Sequence, residues 1–150
     1  MEESVFAVLY LSRAEIRFRA PEIRELAQQA AEKNERLAVS GYLCFKNGLF
    51  VQYLEGKKAV ILNLLHTIRN DHRHHIISEV ILGEYPERYF LGWDMRYLEQ
   101  EELNHVHLEE VLDWIIEELE QEKVVKHAAL KPIREMVYTI QKLRKHHIIA

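Results

Sequence analysis

Four polar side chains stand where the chain is otherwise apolar, and they are the first candidates for chemistry. Tyr10 interrupts the run Val8-Leu9-Tyr10-Leu11, and Gln52 sits between Val51 and Tyr53, on the face shared by Phe50 and Leu54. Asn34 and Asp71 stand where two helical patterns give out. Buried polar groups need hydrogen-bond partners. On pattern alone, a core network in which Gln52 bonds Tyr10 is favoured over a ligand site. The other reactive residue types offer less. His72, His74 and His75 cluster beside Asp71. Metal ligation calls for converging elements, commonly His at i and i+4 on a helix. The run instead reads as a helix end, where cations complement the dipole, and no metal is expected. His146 and His147 read as solvated. Ser12 and Ser40 lack a Gly-x-Ser-x-Gly context, and the five glycines form no phosphate loop. Cys44, the single cysteine, lies in Tyr42-Leu43-Cys44-Phe45 and reads as a buried structural thiol rather than a redox centre.

The elements that must position these residues follow from periodicity. Residues 4–12 (SVFAVLYLS) form a continuous apolar run, read as a strand buried on both faces. Pro21 opens a helix with Ile23, Leu26, Ala27 and Ala30 at helical spacing, ending near Asn34. Residues 39–45 and 50–54 read as two strands joined at Asn47-Gly48, a pair suited to a tight hairpin. Glu55-Gly56 is read as the break after them. Val60, Ile61, Leu64, Leu65 and Ile68 trace a second helix, ended by Asp71; residues 77–82 and 95–98 give two more strands. The order β-α-β-β-α-β-β predicts an α+β fold, a ferredoxin-like sandwich with two helices on one face of a mostly antiparallel sheet.

Strand one carries a further implication. Phe6, Val8 and Tyr10 share one face, while Val5, Ala7, Leu9 and Leu11 share the other, so both faces need cover. The chain beyond residue 100 offers it. Leu108, Val111, Leu112, Ile115, Ile116 and Leu119 form one apolar stripe; Pro132 is read as starting another helix with Ile133, Met136, Val137, Ile140 and Leu143. This C-terminal two-helix extension is expected on the open sheet face, on a partner subunit, or on both. The acidic run Glu99, Glu101, Glu102 reads as a solvated loop or helix start. Glu117, Glu118, Glu120 and Glu122 read as a wet helix face. The predicted division is residues 1–100 as one domain and 101–150 as a helical extension, a cap or an oligomer or partner interface.

Composition sets the outer bounds. With 150 residues, 48% hydrophobic and 29% charged, the chain is ordinary for one globular domain. Its net charge of −4 gives no basic field for nucleic acid. No apolar stretch is long enough to span a membrane and no cleavable signal pattern is present, so the expectation is a cytoplasmic protein.

In register, several of these pieces resemble one family. Leu9-Tyr10-Leu11-Ser12, Asn34 followed by Val39-Ser40-Gly41-Tyr42-Leu43, Phe50-Val51-Gln52-Tyr53-Leu54-Glu55-Gly56, Ile68 to Asp71 with Arg73-His74, and Arg88-Tyr89-Phe90 followed by Trp93-Asp94-Met95 together resemble the BLUF domains, flavin-binding sensors of blue light. The run F-x-Q-x-L-E-G is the most specific piece. The resemblance implies a ferredoxin-like fold holding FAD without a covalent bond between the two helices, with FMN or riboflavin as alternatives. It implies Leu26 and Ile68 as ring walls, Asn34 on the pyrimidine edge with Asp71 in support, and Arg73 and His74 nearer the ribityl or phosphates. Tyr10 and Gln52 become the photoactive pair, since a phenol is an oxidisable donor and an amide can present either end. Trp93, Met95 and Ser12 become signalling positions, with Trp93 and Met95 exchanging places near Gln52. Lys33 stands where many members have Asn or His, and Thr67 where many have Arg. Flavin contacts are therefore expected to be weaker or rearranged, with Lys33 or Arg69 compensating. The expected function is a blue-light photoreceptor, not an enzyme, that passes its signal to a protein partner and forms a homo-oligomer, either a dimer or a ring. Two rivals stand beside it: a ferredoxin-like interaction module without a flavin site, and a light-independent flavoprotein enzyme.

Overall fold

The N-terminal apolar run forms β1 (Val5–Ala14), an inner strand of the sheet, in a computed structural model that describes residues 4–121 and 127–149. A strand covered on both faces has no use for polar alternation. Pro21 lies in the first turn of α1 (Ala20–Leu37), where its missing N–H costs no helical hydrogen bond. Asn34 does not end this helix, as the sequence suggested. The helix runs on to Leu37 and closes at Ala38, whose φ of 54° is left-handed, with the Val39 N–H bonded to the Asn34 carbonyl at 2.9 Å. The Asn34 side chain is buried and held by tertiary contact, so it is not free to cap.

β2 (Ser40–Lys46) and β3 (Leu49–Gly56) form the hairpin. Asn47 and Gly48 have φ of 53° and 78°, the two positive values such a turn requires. The break read at Glu55-Gly56 is corrected: β3 continues through both residues, because the Glu55 carboxylate finds partners inside the protein. α2 (Lys58–Arg69) likewise stops short of the histidine run. Asp71 Oδ1 accepts the backbone N–H of Arg73 at 3.0 Å, an Asx-type turn, and His74 already opens β4 (His74–Tyr85). The histidines read as a helix end therefore lie in a turn and at the start of a strand. β5 (Arg96–Tyr97) is shorter than the 95–98 strand read from the sequence.

The strand order is β4-β1-β3-β2-β5. The first four pair antiparallel in the ferredoxin-like arrangement, and β5 adds a parallel edge through Tyr42↔Arg96 and Leu43↔Tyr97. On one face, Phe6, Val8 and Tyr10 pack with Ile23 and Ala27 of α1 and with Ile61, Leu64 and Leu65 of α2. The other face is closed by the rest of the chain. α3 (Gln100–His105) grows from the acidic run, with Glu102 accepting the Glu99 backbone N–H at 3.2 Å in a capping box. α4 (Glu109–Glu120) and α5 (His127–Lys145) place Leu112, Ile115, Ile133, Met136 and Ile140 in one cluster with Ala7, Leu9, Leu11, Tyr42 and Tyr53. The tail thus covers the sheet within the same chain. Pro132 lies inside α5 rather than at its start, and Glu122 lies outside the described residues. Cys44 on β2 is fully buried, and burial pushes its thiol well up. Among the described residues, no helix is long and apolar enough to cross a membrane, and no group of three His, Cys, Asp or Glu converges on a metal position.

Candidate functional site

Strand alternation brings the two central candidates together. Tyr10 on β1 and Gln52 on β3 are direct register partners, and both side chains point to the face covered by α1 and α2. They form part of the floor of a cavity of about 740 Å³ between those helices. Ser12, two residues along β1, and Phe50, two residues before Gln52, share the floor by the same period of two. Helical spacing supplies the walls. Leu26, Ala30 and Asn34 step along α1 four residues apart, and Leu64 and Ile68 do the same along α2. Asp71, Arg73 and His74, from the α2–β4 turn and the start of β4, complete the lining. All eight residues expected near a cofactor line this one cavity: Tyr10, Leu26, Asn34, Gln52, Ile68, Asp71, Arg73 and His74.

Electrostatics grade the cavity from floor to mouth. Tyr10 is buried, and burial first and the Asp71 carboxylate second push its phenol well above the ordinary range, so it stays protonated. Asp71 is held down to about 2, chiefly by the Arg73 guanidinium, which donates to both carboxylate oxygens at 2.6–3.1 Å. The His74 ring lies 6.3 Å from that of Tyr10 at 23°, close to stacked, and burial lowers its pKa. Two buried polar atoms of lining residues have no hydrogen-bond partner among the described residues: Ser12 Oγ and His74 Nδ1. Such orphans are rare in folded proteins, and they leave hydrogen-bonding capacity for a ligand. An apolar slot with amides inside and cations at its rim suits a planar polycyclic ligand with a polar edge and an anionic tail. Lys33 and Thr67 also line the cavity. Arg69 is not among the lining residues, and its guanidinium pairs with Glu79 on β4, at 2.9 and 2.5 Å.

Of the three signalling candidates, Ser12 lies on the cavity floor, and the other two separate. Met95 is buried in the Tyr10 cluster, and its Sδ lies 3.2 Å from the Gln52 amide nitrogen. Trp93 belongs to the opposite face, stacked on Phe90 at 5.5 Å and 13°. Between them, the Asp94 carbonyl accepts the Asn34 amide at 2.8 Å. The expectation that both sit near Gln52 holds for Met95 alone in this structure, because residues 93–95 precede the regular part of β5 and do not alternate.

Two features escaped the sequence reading. The sequence reads His74 as part of a helix end, although Asp-x-Arg permits a turn. The sequence reads Glu55 as a strand break, yet it is fully buried and accepts hydrogen bonds from Ser40 Oγ (2.8 Å), Tyr53 Oη (3.0 Å) and the backbone N–H groups of Tyr89 (3.1 Å) and Phe90 (2.9 Å). Its alternation with Tyr53 was the available signal.

Comparison with known proteins gives a consistent picture. The model of the family described as BLUF, sensors of blue-light using FAD, matches residues 5–96. The photoactivated adenylate cyclase subunit beta of Euglena longa is 31% identical over 103 residues, which is 68% of this chain and 12% of the cyclase subunit. The chain thus spans about a tenth of the length of the curated relatives it matches. Among solved structures, the dark state of BlrB, a BLUF protein, superposes with a TM-score of 0.70 at 22% identity, covering 93% of this chain and 96% of that one. A bacterial light-regulated adenylyl cyclase gives 0.62 at 22% identity, over 92% of this chain and 39% of the cyclase.

Proposed function

The chain belongs to the BLUF family of blue-light flavin sensors, and on that premise we propose that it is a photoreceptor whose signal begins at Tyr10 and Gln52. One observation carries the proposal: a buried, protonated phenol and a reorientable amide are register partners on the floor of a single cavity. The specific flavin is FAD. Its ring would lie between Leu26 and Ile68, its polar edge at Asn34 and its phosphates toward the cations Arg73 and Lys33 at the rim. The orphaned Ser12 Oγ and His74 Nδ1 support a polar ligand there.

Bound flavin would supply the blue-light absorption and an electron-accepting ring. The protein supplies the rest. Tyr10 is the electron and proton donor through Oη, and its burial keeps that proton in place in the dark. Gln52 then reorganises, exchanging the amide end it presents to Tyr10 and to the ligand. Its present partner permits this. A thioether sulfur is a weak acceptor, so releasing the 3.2 Å contact to Met95 opposes the exchange little. Met95 reports the change to β5.

Effector partners are proposed on the same footing. The relatives' names couple light to cyclase activity in far longer chains. This chain is read as the sensor, with no catalysis of its own, acting through protein contacts that include a homo-oligomer. Trp114 and Tyr138, exposed on α4 and α5, are candidate contact residues.

The test is a visible spectrum of the purified protein before and after blue illumination. A flavin spectrum with a small red shift that reverts in darkness is expected. Gln52→Leu should keep the flavin and lose the shift, and Tyr10→Phe should abolish the normal photocycle. A colourless protein unable to take up FAD would overturn the reading, and an intact shift in Gln52→Leu would overturn the role of Gln52.

A further inference from the structure

The connection between β4 and β5 has no regular secondary structure over residues 86–95, so its backbone polar groups must be satisfied from elsewhere. Side chains from two different layers do this. From the sheet, the buried Glu55 carboxylate accepts the N–H groups of Tyr89 and Phe90. From the tail, the Arg144 guanidinium in the last turn of α5 donates to the carbonyls of Tyr89, at 3.2 Å, and Leu91. The short peptide segment is therefore held between a carboxylate and a guanidinium. Arg144 also lies 5.3 Å from the centre of the Trp93 ring, a cation–π distance, on a residue already stacked against Phe90.

Both ends of this segment are tied to β3 close to Gln52. Glu55 stands three residues beyond Gln52, and Met95 touches Gln52 itself. The Trp93 carbonyl is fixed by the Gly41 N–H at 2.8 Å, and the Asp94 carbonyl by Asn34. Displacing Met95 must therefore strain or shift residues 93 and 94, and the next rigid body along the chain of contacts is α5.

We propose that Arg144 is a positioning residue that latches α5 onto the β4–β5 connection and thereby transmits the state of Gln52 and Met95 to the tail. This rests on the photoreceptor reading above. The latch lies across the sheet from the cavity and touches no cavity-lining residue, so its removal should separate light detection from transmission. Arginine is suited to it, because a planar fork can serve two carbonyls and a ring face at once, which a lysine ammonium cannot.

The experiment uses the full chain loaded with FAD. Amide hydrogen exchange across α5 is followed in darkness and under blue light, together with the visible spectrum. Wild-type protein should show the red shift and a light-minus-dark difference in α5 exchange. Arg144→Ala should keep the red shift at full amplitude, raise α5 exchange in darkness, and lose the light-minus-dark difference. Arg144→Lys should restore part of that difference. A wild-type-sized difference in Arg144→Ala would overturn the latch, as would unchanged dark exchange or loss of the red shift. A wild-type protein that shifts its spectrum without any α5 difference would also overturn it, leaving the photoreceptor reading intact. Absence of the spectral shift in wild-type protein would overturn that reading itself.

Discussion

Tyr10, Gln52 and His74 show how burial assigns tasks to side chains. The phenol is made a reluctant acid, which suits a group that must hold its proton until an electron leaves. His74 moves the opposite way: burial favours the neutral ring, Asp71 pulls toward protonation, and Arg73 opposes it. A histidine whose folded pKa lies below its unfolded value, about 6.5, contributes stability that is present above that value and lost as pH falls through the folded one. His74→Phe should therefore flatten the dependence of the thermal midpoint on pH below about 6.5. Equal slopes in the two proteins would show that His74 titrates without cost. The Asp71 pairing gives its stability above the ordinary carboxylate value and loses it only as pH falls toward about 2, so the acid limb near neutrality belongs to His74 among this pair.

At the scale of elements, regular alternation made the site legible and irregular backbone hid the rest. The two faces of β1 could be read from Phe6, Val8 and Tyr10 against Ala7, Leu9 and Leu11, and they separate in the structure as parity requires. Leu26 and Asn34, eight residues apart on α1, also follow from pitch. The side of the sheet taken by Trp93 could not be read, because the chain is not a strand there. The start of β4 was obscured by a short turn in which the Asp71 carboxylate accepts the Arg73 backbone N–H and the Asp71 carbonyl accepts that of His74. The flavin assignments came from resemblance, since on pattern alone Tyr10 and Gln52 favour a core network over a ligand site. The β2–β3 pairing offers a sharp test of element packing. A Cβ built on Gly41 would lie 1.9 Å from the Tyr53 carbonyl oxygen, a backbone atom that cannot turn aside. Gly41→Ala should part β2 from β3 and remove the cooperative unfolding transition; a near-native thermal midpoint would contradict the register.

On the scale of the whole molecule, the sheet is a partition with the cavity on one side and the tail on the other. The tail is integral to the fold, since α4 and α5 complete the core on the face of Leu9, Leu11 and Tyr53. Ile115→Ala, which empties a fully buried position, should cost about 2–5 kcal/mol in denaturant unfolding. A loss under about 1 kcal/mol, typical of surface substitutions, would mean that α4 is loosely docked. A chain cut after residue 100 should precipitate or expose dye-binding apolar surface, and a monomeric, cooperatively folding fragment would instead make the two segments separate domains. The buried thiol has a practical consequence for all of these experiments. Cys44 is the single cysteine of the sequence and is sealed inside β2, protonated and out of reach. The native background is therefore silent toward maleimide dyes and spin labels. A cysteine placed at exposed Tyr138 and another at exposed Ile16 would carry a probe pair without altering the wild-type core, so distances across the partition can be followed during a light pulse.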